Sequence, residues 1–312
     1  MRAVTVDSFG AAPTVTEVDR PHPGPTELLV RIEAAGINPF DNNIANGFLK
    51  DHVPHQFPLI LGTDGAGVVT EVGPEVTRFH VGDRVVGKFF APPLGRGTFA
   101  EYAVLPEDAI VTTIPDNMSS VEAAALPVAG ITAEDLDALI GSHDGTTVLI
   151  NGAAGGVGSY LVQLAAGHGA HVIATARGAD ADRMRSLGAA EVLDYTESPV
   201  LDQVRAAHPD GVEVLIDLVG DQGHFHDLLP VVRRGGAAWS SIWSADESDM
   251  AARGLDGGNF ESSGGADVLA RLVREVADGD ITPAVGREVK LEQVPAVLAD
   301  PAGARGKTVA VI

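Results

Sequence analysis

A strand that runs straight into a glycine-rich turn and then a helix constrains this chain more than any other feature. Residues 148–158 read Val-Leu-Ile-Asn-Gly-Ala-Ala-Gly-Gly-Val-Gly. Gly152, Gly155 and Gly158 are spaced three apart, with Gly156 as an extra glycine. A glycine at the turn permits backbone angles that other residues avoid. A position without a side chain lets a pyrophosphate approach the main chain. The helix that follows offers unpaired N–H groups and a partial positive charge. The last glycine lets helix and strand pack closely. The text is G-x-x-G-x-x-G rather than G-x-G-x-x-G, and a tight turn alone would also use glycine. The strand–turn–helix context is what favours a dinucleotide loop.

The surrounding text supports that context. From about residue 119 a capped helix is expected, and after it strands and helices alternate. Strands are expected at 147–150, 171–174, 192–193, 212–219 and 237–242, with helices at 157–166 and 181–187. Such alternation implies a parallel sheet with right-handed crossovers. Residues 1 to about 115 are different. Short apolar runs at 3–6, 28–32, 65–72, 84–86 and 99–104 are punctuated by Pro and Gly, which predicts an irregular sheet or barrel. Residues 244–265 are polar, acidic and glycine-rich, and read as a surface loop, a lid or a dimer-edge strand. Residues 267–277 predict an amphipathic helix with Leu269, Leu272, Val273 and Val276 on one face. A strand at 288–291, a short helix at 292–298 and a last strand at 308–312 follow.

Composition narrows the function classes. At 312 residues the chain has room for two domains. A formal net charge of −22 disfavours nucleic acid phosphates and anionic membranes. There are no cysteines, so disulfides, thiolate metal sites and cysteine nucleophiles are excluded. His22, His52, His55 and His80 are scattered without metal-ligand spacing, and His224 and His226 stand two apart. All the histidines read first as loop or surface residues. The N-terminal text has neither a signal core nor a transit pattern, and no window reaches membrane-span length, so a cytoplasmic location is expected.

The adenosine end separates the cofactors. NAD-preferring loops place an acid about 20 residues on. Here the second strand ends Ile-Ala-Thr-Ala-Arg177, with no acid at its tip. Arg177 suits a 2′-phosphate through a charge-assisted contact, with Arg183 a weaker candidate, so NADPH is expected. The competing reading makes Arg177 a solvated turn residue.

Taken together, these blocks resemble the medium-chain dehydrogenase/reductases, in their zinc-free quinone oxidoreductase (zeta-crystallin-like) branch. The resemblance spans nearly the whole chain. It rests on Ala34-Ala-Gly-Ile-Asn-Pro-Phe-Asp41, Pro58-Leu-Ile-Leu-Gly-Thr-Asp-Gly-Ala-Gly-Val68, Val81-Gly-Asp-Arg-Val-Val-Gly87 and Leu126-Pro-Val-Ala-Gly-Ile-Thr-Ala133. The glycine loop with Gln163, Leu187-Gly-Ala189, Asp194-Tyr195 and Arg305-Gly-Lys307 complete it. It implies an α/β fold with a GroES-like β-rich catalytic domain over 1–120 and 263–312. A Rossmann NADPH-binding domain with a doubly wound parallel sheet would cover 121–262. It further implies NADPH in the interdomain cleft, a homodimer, and hydride transfer to a quinone or an α,β-unsaturated carbonyl. Zinc-dependent relatives bind their metal with Cys and His, including a Gly-His-Glu stretch. This chain reads Gly62-Thr63-Asp64 there, so the resemblance implies no metal.

Carried over by position, Asn38 would contact the nicotinamide ribose and Thr132 the phosphate or ribose region. Gly152, Ala153, Ala154, Gly155, Gly156, Val157 and Gly158 would line the pyrophosphate. Thr175, Arg177 and Tyr195 would surround the adenosine phosphate. Val219 and Gly220 would flank the ribose, Ser241 and Ile242 the nicotinamide amide, and Lys307 would reach towards the cleft. Each has a plainer alternative: Asn38 before Pro39 is a good turn residue, Tyr195 suits a strand end, and Val219-Gly220 suits a strand terminus.

Two departures fall where substrate is expected. Relatives often carry a Tyr two residues after the Asp of Asn-Pro-x-Asp, and here that residue is Asn43. An amide can donate a hydrogen bond to a developing oxyanion but is no useful acid. The second departure is residues 244–265. Asn38 and Asn43 are therefore the candidate substrate or oxyanion contacts, with solvent as a source of the final proton. The competing reading is an NADPH-binding sensor or structural protein with little catalysis.

Overall fold

The computed structural model describes residues 1–300 and 305–312. The chain divides into two compact units, Met1–Ile131 with Gly264–Ile312, and Thr132–Ser263.

The first unit is mostly sheet. Its N-terminal part carries β1 (Arg2–Val6), β2 (Thr14–Glu17), β3 (Glu27–Gly36), β4 (His55–Ile60), β5 (Asp64–Val72), β6 (Arg84–Lys88), β7 (Leu94–Arg96), β8 (Tyr102–Pro106) and β9 (Val111–Thr113). Helices α1 (Pro39–Ala45) and α2 (Ser120–Ala124) interrupt and follow them, and α3 (Pro127–Ala138) carries the boundary. A four-stranded sheet has the order β2-β1-β4-β7. The ten-residue β3 is the spine of the larger sheet and pairs antiparallel with β5 and with β8. The strand expected at 99–104 is shifted: Ala100 makes only an isolated bridge to Ala3, and the ladder begins at Tyr102. Val4, Val30, Ile32, Val69, Val85, Phe99 and Leu105 belong to the core beneath these strands.

Two local choices matter for the site. Asn38 is extended at the N-cap of α1, Pro39 occupies the first helical turn, and the Asp41 carboxylate accepts the Asn38 N–H at 2.8 Å. The Asn-Pro-x-Asp text is thus a helix start written in sequence. Ser119 and Glu122 form the reciprocal capping box of α2, as the sequence suggests.

The second unit holds β10 (Thr147–Asn151), β11 (His171–Ala176), β12 (Glu191–Asp194), β13 (Val212–Asp217), β14 (Val232–Ser240) and β15 (Asp256–Asn259). Their order is β12-β11-β10-β13-β14-β15 and every pairing is parallel. Helices α4 (Gly156–Gly167), α5 (Ala181–Ser186), α6 (Val200–Ala207), α7 (Gln222–Leu228) and α8 (Glu247–Arg253) make the crossovers. This is the doubly wound dinucleotide-binding order, with the switch point between β10 and β13.

Segment 244–265, expected as a surface loop, a lid or a dimer-edge strand, contains α8 and the edge strand β15, besides turns. β15 has the sequence Asp-Gly-Gly-Asn, which no strand propensity would reveal. Its reason is a close approach: a Cβ on Gly257 would lie 2.1 Å from the carbonyl oxygen of Ala238, on the paired strand. Gly257 and Gly258 both have positive φ, 109° and 145°.

The chain then returns to the first unit through α9 (Ala266–Asp278), β16 (Val285–Lys290), α10 (Val294–Ala299) and β17 (Lys307–Val311). The expected apolar face of α9 is buried, from Leu269 to Val276. The strand expected at 288–291 ends earlier, because Leu291–Gln293 form a single turn of tighter helix. β17 pairs antiparallel with β3, Val309 opposite Gly36, which sets Lys307 beside Asn38. Among the described residues no helix is long and apolar enough to cross a membrane.

Candidate cofactor loop and buried polar site

In the second unit the glycine loop leaves β10 after Asn151. Gly152 adopts φ 88°, and its N–H donates to the Thr175 hydroxyl oxygen at 2.9 Å. That hydroxyl donates to Asn151 Oδ1 at 2.9 Å, and Asn151 Nδ2 donates to Asp217 Oδ1 at 2.7 Å. Asp217 in turn accepts the N–H groups of Val219 at 3.3 Å and Gly220 at 3.1 Å. Three residues from the carboxyl ends of β11, β10 and β13 are thereby locked together at the switch point. Satisfied buried networks of this kind fix one geometry, because leaving any member unpaired is costly.

The glycines have separate causes. A Cβ on Gly158 would sit 2.6 Å from Ala153 Cα and from the Gly152 carbonyl oxygen, so only glycine lets α4 close on the loop. Gly155 is the N-cap of α4 and offers no side chain to the first turn, which leaves that 12-residue helix without a side-chain cap. An anion can then receive the first-turn N–H groups. Arg183 braces the loop, with Nη2 donating to Ser159 Oγ at 2.9 Å and Nη1 to the Ala154 carbonyl at 3.4 Å. The residues present therefore fit a dinucleotide pyrophosphate.

Of the residues expected around the adenosine phosphate, Arg177 follows β11 directly and its Nε donates to the Tyr195 hydroxyl at 2.9 Å. Tyr195 is 47% exposed. Among the described residues the guanidinium's terminal nitrogens take no hydrogen bond. Asp194 ends β12 and its carboxylate is taken up by local donors. It accepts from the Thr196 hydroxyl at 2.6 Å, the Thr196 N–H at 2.8 Å and the Gly178 N–H at 2.6 Å. Those donors, the Thr196 hydroxyl foremost, hold its carboxyl below the usual range.

The turn after β14 carries Ser241 and Ile242, the residues expected beside the nicotinamide. Buried Ser240 accepts the N–H groups of Ile242 at 3.3 Å and Ser244 at 3.1 Å, and shares a 2.7 Å hydrogen bond with the Ser244 hydroxyl. Ser241 donates its N–H to the Asp217 carbonyl at 3.1 Å, which ties this turn to the same switch-point residue. Val219, Ile242 and Trp243 are exposed there. Trp243, at φ 62°, is the one non-glycine with positive φ among the described residues.

The first unit holds a second polar group, fully enclosed. Lys307 Nζ donates to Asn38 Oδ1, to the Ile37 carbonyl at 3.0 Å and to Asp64 Oδ2 at 3.3 Å. Asn38 Nδ2 also donates to Asp64 Oδ2 at 3.0 Å, and the Val128 N–H donates to Asp64 Oδ1 at 3.1 Å. Asp41 takes the Thr63 hydroxyl at 2.9 Å beside the Asn38 N–H. Asp41 and Asp64 are wholly buried. Burial pushes the Asp41 carboxyl up to about 7, with the neighbouring Asp64 charge adding to the rise. Burial also raises Asp64, against the pull of Lys307.

The placement of the sequence candidates follows from these contacts. Gly152, Thr175, Gly220 and Ser241 converge on the Asn151–Asp217 network. Val219 joins them through Gly152, where a Cβ would meet Val219 Cγ1 at 2.6 Å. Thr175 is buried with both its hydrogen-bonding roles used inside. Lys307 is likewise buried and spends its charge on Asp64. Asn43 is exposed on α1, and Thr132 is half-buried on α3. His224 Nε2 lies 3.2 Å from Asn151 Nδ2 while His226 Nδ1 lies 2.9 Å from Asp249, so that pair does not converge. Sequence reasoning missed Asn151, Asp217, Asp41 and Asp64 as functional positions. Asn151, Asp41 and Asp64 stand inside the glycine-loop, Asn-Pro-x-Asp and Gly-Thr-Asp blocks, and Asp217 is the charged end of the apolar run 214–216.

Two family models match, one described as alcohol dehydrogenase GroES-like domain over residues 24–116 and one as zinc-binding dehydrogenase over 156–249. A quinone-oxidoreductase homolog of Spinacia oleracea, chloroplastic, is 42% identical over 204 residues, covering 62% of this chain and 61% of its own. A quinone oxidoreductase of Mus musculus is 30% identical over 236 residues, covering 73% and 69%. The solved quinone oxidoreductase of Coxiella burnetii superposes with TM-score 0.88 at 26% identity, over 100% of this chain and 99% of that one. The chain belongs to the medium-chain dehydrogenase/reductase superfamily, in its quinone oxidoreductase branch. It spans 61% of the length of each of the first curated relatives it matches. The superfamily binds nicotinamide nucleotides.

One family description names zinc. The position in question, Gly62-Thr63-Asp64, offers no imidazole or thiolate, and the Asp64 oxygens already hold Lys307, Asn38 and the Val128 N–H. A cationic ammonium stands beside the carboxylate that a metal would need. These residues do not fit a zinc centre.

Proposed function

We propose that this chain is an NADPH-dependent, zinc-independent oxidoreductase that delivers hydride to a quinone or an α,β-unsaturated carbonyl. The observation that carries the reading is the locked loop: Gly152, Thr175, Asn151 and Asp217 hold an uncapped helix start open to a pyrophosphate. When bound, the nicotinamide supplies the hydride. The chain's own residues bind and orient. The first turn of α4 receives phosphate oxygens, and Gly158 keeps that turn close to the main chain. Arg177, positioned by the Tyr195 hydroxyl, presents its free terminal nitrogens to a 2′-phosphate. The Ser240-clamped turn presents the Ser241 and Ile242 main chain to a carboxamide.

In the other unit, Asn38 is a positioning residue, since its amide holds both Lys307 and Asp64. Asn43, exposed on α1, is the candidate donor to negative charge developing on an acceptor oxygen. Zinc-independence is supported by the donor set at Asp64. A cytoplasmic homodimer completes the proposal, and light scattering of the purified chain tests the dimer. The function is tested by NADPH oxidation against a panel of quinones and enones. Turnover with at least one class is expected. Tight NADPH binding with no oxidation by any acceptor would instead mark a cofactor-binding protein without this chemistry.

A further inference from the structure

Two histidines of the second unit meet at one carboxylate. His171 opens β11, Glu191 opens β12, and His208 is the C-cap of α6. All three stand at the amino-terminal edge of the parallel sheet, opposite the strand ends that carry the glycine loop and Arg177. His171 Nε2 lies 2.6 Å from Glu191 Oε1, and His208 Nε2 lies 3.0 Å from the same oxygen and 3.2 Å from Oε2. One ligand atom from each of the three residues lies within 4.8 Å of the others. Each backbone is fixed independently. His171 donates its N–H to Thr146 O at 2.8 Å, His208 donates to Val204 O at 2.7 Å, and Glu191 is in register with Ile173.

We propose that His171, Glu191 and His208 form a peripheral site for one divalent transition-metal ion of the zinc type, separate from the redox chemistry. Two imidazoles and one carboxylate are a donor set for Zn²⁺, Ni²⁺ or Cu²⁺ rather than for Mg²⁺ or Ca²⁺, which take oxygens. Bonds of about 2.0–2.2 Å set neighbouring ligand atoms roughly 3–3.5 Å apart, so small side-chain rotations bring these three atoms to the required spacing. Side-chain exposures of 43%, 32% and 22% for His171, Glu191 and His208 leave an entry path and room for water in the open positions. The chain's net charge of −22 raises the local concentration of cations.

The neighbouring group of Asp137, His143 and His168 is an internal contrast. There each imidazole takes its own carboxylate oxygen, His143 Nε2 at 2.9 Å from Oδ1 and His168 Nδ1 at 2.7 Å from Oδ2. The buried Asp137 is satisfied as an acceptor from two sides. At Glu191 both ring nitrogens aim at a single oxygen, which is the convergence one ion needs.

The test uses the untagged full chain, stripped with a chelator and dialysed against Zn²⁺, with bound zinc measured by elemental analysis. Co²⁺ is titrated in parallel for its visible ligand-field bands. One equivalent of zinc is expected, together with a melting temperature that climbs with the logarithm of free zinc. Binding should weaken on acidification, because protons compete with the metal for its ligand atoms. H171N and H208N should each weaken binding by ~100-fold or more, since even outer-shell partners are worth about 10–100-fold. H143N should leave it unchanged. The site lies at the opposite sheet edge from the loop, so NADPH affinity serves as the check that each variant is folded. The proposal is overturned by absence of bound zinc in the wild type. It is equally overturned by zinc that persists undiminished in either H171N or H208N, because hydrogen bonds alone would then explain the cluster.

Discussion

Replacing Asp41 by Asn should remove a defined component of the chain's pH dependence. Asp41 is fully buried and its carboxyl is raised from 3.8 to about 7. In the unfolded chain the same group ionises near 3.8. Between those values the folded state holds a proton that the unfolded state has lost. Stability then falls as pH rises through that window, and is flat above and below it. A rise of about 3 pKa units at 1.36 kcal/mol each sets a ceiling of about 4 kcal/mol. Asparagine is close to isosteric and can keep both contacts. Its Oδ1 accepts the Asn38 N–H, and its Nδ2 donates to the Thr63 oxygen. The assay is urea unfolding of wild type and variant at intervals from pH 4 to pH 8. The difference between the two curves cancels carboxylates such as Glu101 and Glu107, which are held below their usual range by main-chain and arginine partners and act with the opposite sign. Wild-type stability relative to D41N should decline across the window by up to about 4 kcal/mol. A flat difference, or one that grows with pH, would mean Asp41 is ionised throughout beside Lys307, and the reasoning would fail.

Two substitutions in the second unit should separate selectivity from loop geometry. Arg177→Ala removes a charge-assisted contact worth about 1.5–3 kcal/mol, so NADPH should bind roughly 10–100-fold more weakly while NADH is unchanged. Equal losses for both cofactors, read by fluorescence titration, would refute the 2′-phosphate assignment. Thr175→Val strands the Gly152 N–H and Asn151 Oδ1, and should destabilise the chain by about 1–3 kcal/mol. It should weaken both cofactors alike, with Thr175→Ser restoring binding; a loss confined to NADPH would place Thr175 at the phosphate instead.

How much of this was legible in the sequence depended on whether the cause was local. The glycine loop, the capping box at Ser119 and the apolar face of α9 are local patterns, and the structure contains all three. The Asp-Gly-Gly-Asn text of β15 was not legible as a strand because Gly257 answers to Ala238 on another strand, a distance no window can register. The Asn38–Lys307 contact joins residues 269 apart, brought together only when β17 pairs with β3. The resemblance placed Lys307 near a cleft, but its partner Asp64 was legible only as a non-ligand in Gly62-Thr63-Asp64. His171, Glu191 and His208 have no metal-motif spacing along the chain. They meet because two parallel strands start side by side and α6 ends beneath them. Thr175 shows a subtler limit: a place around the adenosine phosphate was expected, whereas its hydroxyl is turned to Asn151 and Gly152.

The central claim is that the locked glycine loop serves hydride transfer from NADPH to an activated acceptor. The most direct measurement follows deuterium from stereospecifically labelled NADPH to carbon in a reduced enone, with a quinone run beside it for NADPH consumption alone, because a hydroquinone O–D exchanges with water. The account predicts NADPH consumption with label on carbon in the reduced enone, undiminished after chelator treatment of the enzyme. Acceptor reduction that stops when metal is stripped and returns when zinc is added would contradict it.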